Sequence, residues 1–234
     1  MKTFICHYPK LKERLDYLIP ALKEVGFVDI TTINGISRNE ITDEHRKFFA
    51  NDANLSNERK EKYKMDQPTS PGCDIFSDWL KPILANFLTH IDIWKKIAES
   101  KEKYCLVLED DARVLDNFKN KWDQLLSQIP EDLDIAYLHE GCGLTVENVI
   151  GIHPESNQIF YKCPKQWSRT CCTYIISKNF AIKLLEDLYP ILMPVDHELN
   201  YLQRKLNANV YWTSPALFVE GSGINYNSAI PKQG

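Results

Sequence analysis

The run Tyr104-Cys105-Leu106-Val107-Leu108-Glu109-Asp110-Asp111-Ala112 delivers three consecutive carboxylates to the end of a short apolar segment. An aliphatic run bounded by polar residues reads as a strand buried on both faces, the kind found in sheets covered by helices. In such folds ligands bind beyond the carboxyl ends of the strands. Three like charges at that point repel one another and call for a compensating cation. An all-oxygen group suits Mg²⁺ or Mn²⁺, which takes one or two carboxylates and completes its shell with water and substrate phosphates. With the backbone still extended, Glu109 and Asp111 point to one side and Asp110 to the other. The plainer alternative is an acidic loop on a solvated face, although surface acids seldom follow a fully apolar strand directly.

The rest of the chain supplies a sheet for this strand. Thr3 to Cys6 reads as a first strand, and Lys10 to Val25 as a helix with Leu11, Leu15, Leu18, Leu22 and Val25 on one face, closed by Gly26. Asp29 to Ile33 is a second β-run ending in the turn signal Asn34-Gly35. This β-α-β opening predicts parallel pairing under helical cover. From Ser37 to Asp78 the chain turns polar, with only Phe48 and Phe49 reading as buried, and this excursion at about 37–78 predicts one or two short helices rather than a second core. Pro82 to Ala98 is a strong helix, with Leu84, Phe87, Leu88, Ile91, Trp94 and Ala98 on one face, His90 at its border and Thr89 opposite. Beyond the acidic strand come a helix (Asn117 to Gln128), a strand (Asp134 to Leu138) and a loop (Glu140 to Gln158). Further strands are expected at Ile159 to Cys163, Cys172 to Ile176, Val210 to Thr213 and Leu217 to Val219. Two further helices are expected, one from Asn179 capped by Ser177 and one starting near Asp196. One domain over residues 1–234 is expected.

Charge and composition narrow the partners. A net charge of −4 over 234 residues argues against a nucleic-acid backbone, which selects basic surfaces, and the basic stretch Arg59 to Lys64 is interrupted by Glu61. The first residues lack the apolar core of a signal peptide, and nowhere do 18 apolar residues run together, so a cytoplasmic chain without a transmembrane segment is expected, with membrane association only through a substrate. The seven cysteines are odd in number and contain no metal-type CxxC pair. Most read as small core residues in a reducing compartment, with Cys142 and Cys163 able to bridge in an oxidising one.

In order along the chain stand Arg14 in the first helix, Asn34-Gly35, Thr89-His90 before Trp94, Leu108-Glu109-Asp110-Asp111-Ala112, Ala136-Tyr137-Leu138, Thr173-Tyr174-Ile175-Ile176-Ser177 and Pro194-Val195-Asp196. This ordered set resembles glycosyltransferase family 25, which includes lipooligosaccharide and procollagen galactosyltransferases. Coverage is nearly end to end, and matches worst in the polar excursion. The chain departs where Asn34 replaces a common acidic residue before the glycine and where Thr89 replaces a serine, changes that bear on donor preference. The resemblance implies an α/β fold of GT-A type, a Rossmann-like mixed sheet flanked by helices, together with a nucleotide-sugar donor, a divalent metal and transfer with inversion.

Under that resemblance Asp111 is the first metal ligand, with Glu109 or Asp110 shared between metal and donor ribose. A single displacement with inversion needs a general base on the acceptor hydroxyl. Asp196 is the first choice, although an Asp there also suits a helix N-cap, and Glu140 and Glu220 are reserves. His197 is a possible third metal ligand. On the donor side, Tyr8 is placed to stack on uracil and Arg14 to reach the diphosphate, with His7, Asn34, Gly35 and His90 as further contacts. Arg14 reads equally as part of a wet helix face, and His90 as a satisfied buried histidine. Trp94 and Trp122 fall at core spacing, whereas Trp167, in a polar loop, is the expected acceptor-sugar platform.

The reading is a glycosyltransferase that uses Mn²⁺ or Mg²⁺ and moves galactose or glucose from a UDP-hexose to a hydroxyl of a glycan or of hydroxylysine. Two rivals stand beside it. One is an inactive relative that binds a glycan or protein, and the other is an Mg²⁺ enzyme of phosphoryl or nucleotidyl transfer, whose P-loop version lacks its glycine-rich signature here.

Overall fold

The computed structural model describes residues 1–49, 81–116, 118–191 and 193–221. The expected β-α-β opening is strand β1 (Lys2–His7), helix α1 (Lys12–Glu24) and strand β2 (Ile30–Asn34). Gly26 ends α1 at φ +102°, a left-handed backbone that glycine adopts without strain. Arg38–Glu40 forms a 3₁₀ turn and Asp43–Arg46 a short helix, α2. Helix α3 (Lys81–Glu99) then leads into strand β3 (Tyr104–Glu109), the apolar half of the acidic motif.

Seven strands make one mixed sheet. Its order is β2-β1-β3-β8-β5-β9-β7, where β5 is Ile135–Tyr137, β7 Phe160–Lys162, β8 Thr173–Ser177 and β9 Val210–Thr213. β1 pairs parallel with β2 and β3, and β5 with β9, while β8 runs antiparallel between β3 and β5. The α/β class with a Rossmann-like mixed sheet flanked by helices, expected from the resemblance, is therefore present. Alternate side chains of β3 enter different core layers, as period two requires. Cys105 and Val107 join Phe87, Trp94 and Leu199, from α3 and from helix α6 (Val195–Lys205), whereas Leu106 and Leu108 join Leu18, Leu22 and Trp122, from α1 and from helix α4 (Phe118–Ser127). Helix α5 (Lys178–Asp187) starts at the expected cap, Ser177 Oγ accepting from Phe180 N–H at 3.1 Å.

The structure corrects several local expectations. β3 stops at Glu109, and Asp110 and Asp111 form a turn into β4 (Ala112–Val114), so the acids do not alternate along one strand. β4 belongs to a second, three-stranded sheet with β10 (Phe218–Glu220) and β6 (His139–Glu140), the last lying where a loop was expected. Thr89 is buried although it sits opposite the apolar stripe, because α3 is covered on that side by the loop that follows β2. Asp196 is not a cap: Pro194 holds that position, no side chain caps α6, and Asp196 lies inside its first turn. Phe49 is buried but Phe48 is exposed. The six described cysteines are free, with Cys142 exposed and Cys163 buried, so the bridge between them is not formed, and Cys73 lies outside the described residues. Most of the polar excursion, including Arg59 to Lys64, also lies outside them.

Candidate active site

Parallel pairing of β1 with β3 sets Cys6 opposite Glu109, so both strands end at the same edge of the sheet. The turn after β3 then presents Asp110 to the start of α1. His7 Nδ1 lies 2.8 Å from Asp110 Oδ2, the Tyr8 backbone N–H donates to the same oxygen at 2.9 Å, and Arg14 Nη1 donates to Oδ1 at 2.8 Å. Arg14 is buried, so the wet-face alternative fails: the carboxylate, not solvent, receives the guanidinium.

Glu109 turns instead toward α3. Its Oε1 accepts from Asn86 Nδ2 at 2.8 Å and faces His90 Nε2 at 3.4 Å. Burial raises its pKa, but the hydrogen bonds from His90 and Asn86 favour the carboxylate and hold it below the ordinary value. Gly35 packs against the same helix. A Cβ there would fall 2.5 Å from Thr89 Oγ1, and its N–H donates to His7 O at 2.8 Å, so only glycine permits this approach.

These groups line a cleft of about 480 Å³ at the carboxyl edge of β1 and β3. Of the expected residues, His7, Tyr8, Arg14, Gly35, Glu109, Asp110, Asp111 and Glu220 line it. Asn34 ends β2 exposed beside it, and His90 lies behind Glu109, wholly buried. Asn86, Lys10 and Asn39 line it without having been expected. For Asn86 a signal existed, since it sits one helical turn before His90.

A shallower concavity of about 310 Å³ covers the loop from Glu140 to Thr145, with Val219 and Glu220 on its other wall. Glu220 belongs to both hollows, because β10 pairs antiparallel with β4 beside the acidic turn and parallel with β6 at Glu140. A Cβ on Gly141 would lie 3.3 Å from Glu220 Oε2. Behind this loop stands Arg169, wholly buried and not singled out by the sequence reading: Nε donates to Leu144 O at 2.5 Å, Nη1 to Thr213 O at 3.0 Å, and Nη2 lies 3.2 Å from Glu140 Oε1. Nothing in a polar loop ending in Arg marks that residue as buried. Next to Glu140, burial pushes the His139 imidazole down to about 4.

Asp196 and His197 line neither hollow; their side chains lie 4.0 Å apart in the first turn of α6. Trp167 is 38% exposed, Lys165 Nζ lies 4.6 Å over its ring, and its carbonyl accepts from Trp212 Nε1 at 2.9 Å.

The acids bear on a cation as follows. Both oxygens of Asp110 are already taken, and among the described residues no group of three or more His, Cys, Asp and Glu side chains stands ready for a metal, so Asp111, Glu109 and His197 are not assembled as one site. Glu109 and Asp111 remain on the cleft wall. That donor set fits an Mg²⁺ or Mn²⁺ ion whose shell is completed by substrate phosphates.

The family description "Glycosyltransferase family 25 (LPS biosynthesis protein)" matches residues 81–199, which include α3, the acidic turn and the start of α6. The chain belongs to glycosyltransferase family 25. This family 25 chain is also 31% identical, over 134 residues, to the "Procollagen lysyl hydroxylase and glycosyltransferase" of Acanthamoeba polyphaga mimivirus, a match covering 52% of this chain and 14% of that protein. Among solved structures it is similar to a crystal structure of the galactosyltransferase LgtC with donor and acceptor sugar analogues, at 12% identity, 91% coverage of this chain, 73% of the other and a TM-score of 0.42. Among the described residues of the family 25 chain, no helix is long and apolar enough to cross a membrane.

Proposed function

We propose that the chain transfers galactose or glucose from a UDP-hexose to a hydroxyl of a glycan or of hydroxylysine, with inversion and with Mn²⁺ or Mg²⁺. The observation that carries this reading is the single cleft in which Arg14, His7 and Tyr8 meet Glu109, Asp110 and Asp111. A nucleoside diphosphate needs both kinds of group, a cationic wall for its phosphates and carboxylates for ribose hydroxyls and a cation. The procollagen-modifying name of the viral relative supports the hydroxylysine option.

In this reading Asp110 does not touch the donor. It fixes His7, Tyr8 and Arg14, so that the guanidinium is already oriented when the diphosphate arrives. Asp111 and Glu109 would hold the cation, which supplies charge stabilisation to the leaving diphosphate. Glu220 is the carboxylate best placed to take the acceptor proton, because it walls both the donor cleft and the neighbouring concavity. Glu140 is engaged by Arg169, and Asp196 lines neither hollow.

The test is UDP release from a panel of UDP-hexoses with Mn²⁺, with EDTA, and with Asp111→Asn. Metal-dependent release of UDP without phosphate or pyrophosphate, reduced roughly a hundredfold in the variant, is expected, since several kcal/mol of charge stabilisation are lost. Release of phosphate or pyrophosphate instead would select phosphoryl or nucleotidyl transfer. Nucleotide or glycan binding without turnover would select the inactive relative.

A further inference from the structure

Behind the cleft wall a chain of hydrogen bonds runs out of the core and stops at Glu109. Trp94 Nε1 donates to the Tyr174 hydroxyl at 2.9 Å, and that hydroxyl lies 2.9 Å from His90 Nδ1. The other ring nitrogen of His90 faces Glu109 Oε1 at 3.4 Å. A second branch reaches the same oxygen: Cys6 Sγ donates to Asn86 Oδ1 at 3.1 Å, which turns the Asn86 amide nitrogen to Oε1 at 2.8 Å.

The proton positions follow from what each group is able to do. An indole nitrogen only donates, so the Tyr174 oxygen is an acceptor toward Trp94. Tyr174 is wholly buried, and its hydroxyl proton has one remaining partner among the described residues, His90 Nδ1. A buried hydroxyl proton left without an acceptor is costly, so Nδ1 accepts it. In a neutral imidazole the other nitrogen then carries the proton, and Nε2–H donates to Glu109. Both branches point the same way and both end on Oε1. Glu109 keeps 22% of its side chain exposed, and the oxygen not engaged from behind, Oε2, is the one left for the cleft.

We propose that Tyr174 is a positioning residue for the nucleotide cleft: its hydroxyl fixes the His90 proton on Nε2, and His90 with Asn86 then anchors Glu109 by Oε1 and presents Oε2 to the ligand. The inference about the cleft rests on the UDP-sugar reading. The inference about the proton does not.

Tyr174→Phe is the informative change, because it keeps the ring and its packing and removes only the bridging oxygen. Two-bond ¹H–¹⁵N spectra of the histidines and titration with UDP are read on the same samples, well below the melting temperature. In the unaltered chain His90 is expected as the neutral Nε2–H tautomer, a measurement that needs no variant to fold. In Tyr174→Phe that signal is expected to change, and UDP to bind roughly tenfold more weakly, the scale of one buried hydrogen bond. A purely structural hydroxyl would lower the melting temperature and leave UDP affinity within twofold, which overturns the positioning role. An Nδ1–H tautomer or a cationic His90 in the unaltered chain overturns the relay itself. Failure of the unaltered chain to bind UDP counts against the UDP-sugar reading, while the relay still stands or falls on the His90 tautomer.

Discussion

Arg14 and Asp110, 96 residues apart, are joined in the interior of the cleft wall, Nη1 donating to Oδ1 at 2.8 Å with neither side chain more than 7% exposed. The middle acid of the trio thus serves the first helix. Removing one partner of a buried pair leaves the other charge uncompensated and costs about 3 kcal/mol or more. Asp110→Asn is therefore expected to lower the melting temperature by roughly 10 °C for a chain of this size. Adding Arg14→Gln should recover part of that loss, since the two changes share one interaction. A melting curve for Asp110→Asn that overlays the parent's would show that the pair contributes nothing to stability.

Glu220 and Asp196 separate the two ideas about the base. Glu220→Gln is expected to lower turnover about a hundredfold or more while UDP binding persists, the usual contribution of a general base. Asp196→Asn should change turnover less than tenfold. Its melting temperature should barely move, because Asp196 makes no capping bond. The reverse pattern in steady-state rates would return the base to Asp196.

Trp167 tests where the acceptor lies. Its carbonyl, not its ring, anchors Trp212, so truncating the ring leaves that anchor in place. Trp167→Ala is expected to raise the acceptor's KM several-fold and leave UDP-hexose hydrolysis without acceptor nearly intact, an aromatic contact contributing on the order of 1 kcal/mol. Equal loss in both assays would move Trp167 to the donor side.

His139 gives the fold an acid-sensitive point. Its imidazole is held neutral by burial, with a pKa lowered to about 4 in the folded chain against an ordinary value near 6.5. Between those values the unfolded chain binds the extra proton, so stability is fully present above about pH 6.5 and falls as pH drops toward 4. The loss is on the order of 3 kcal/mol at most. Urea denaturation across this window should show the slope, and His139→Gln should flatten it. A variant with the parent's slope would assign the acid sensitivity to other groups.

What the sequence alone determined was local and periodic. The continuous apolar run from Tyr104 to Leu108 and the stripes of Leu18, Leu22, Phe87 and Trp94 specify a sheet covered by helices, because burial of such runs and faces depends only on the order of residues along the chain. The acidic turn after β3 was also legible, because surface acids seldom follow a fully apolar run directly. Partnership across the chain was not legible. That Asp110 would be taken by Arg14 and His7, that Glu109 would be held from behind by Asn86 and His90, that Arg169 would be buried under the loop from Glu140, and that Glu220 would stand between two hollows all follow from strand order and from how helices and loops pack on the sheets. β1 beside β3 and β10 between β4 and β6 bring together residues dozens to more than a hundred positions apart, and no periodicity along the chain encodes which strands become neighbours.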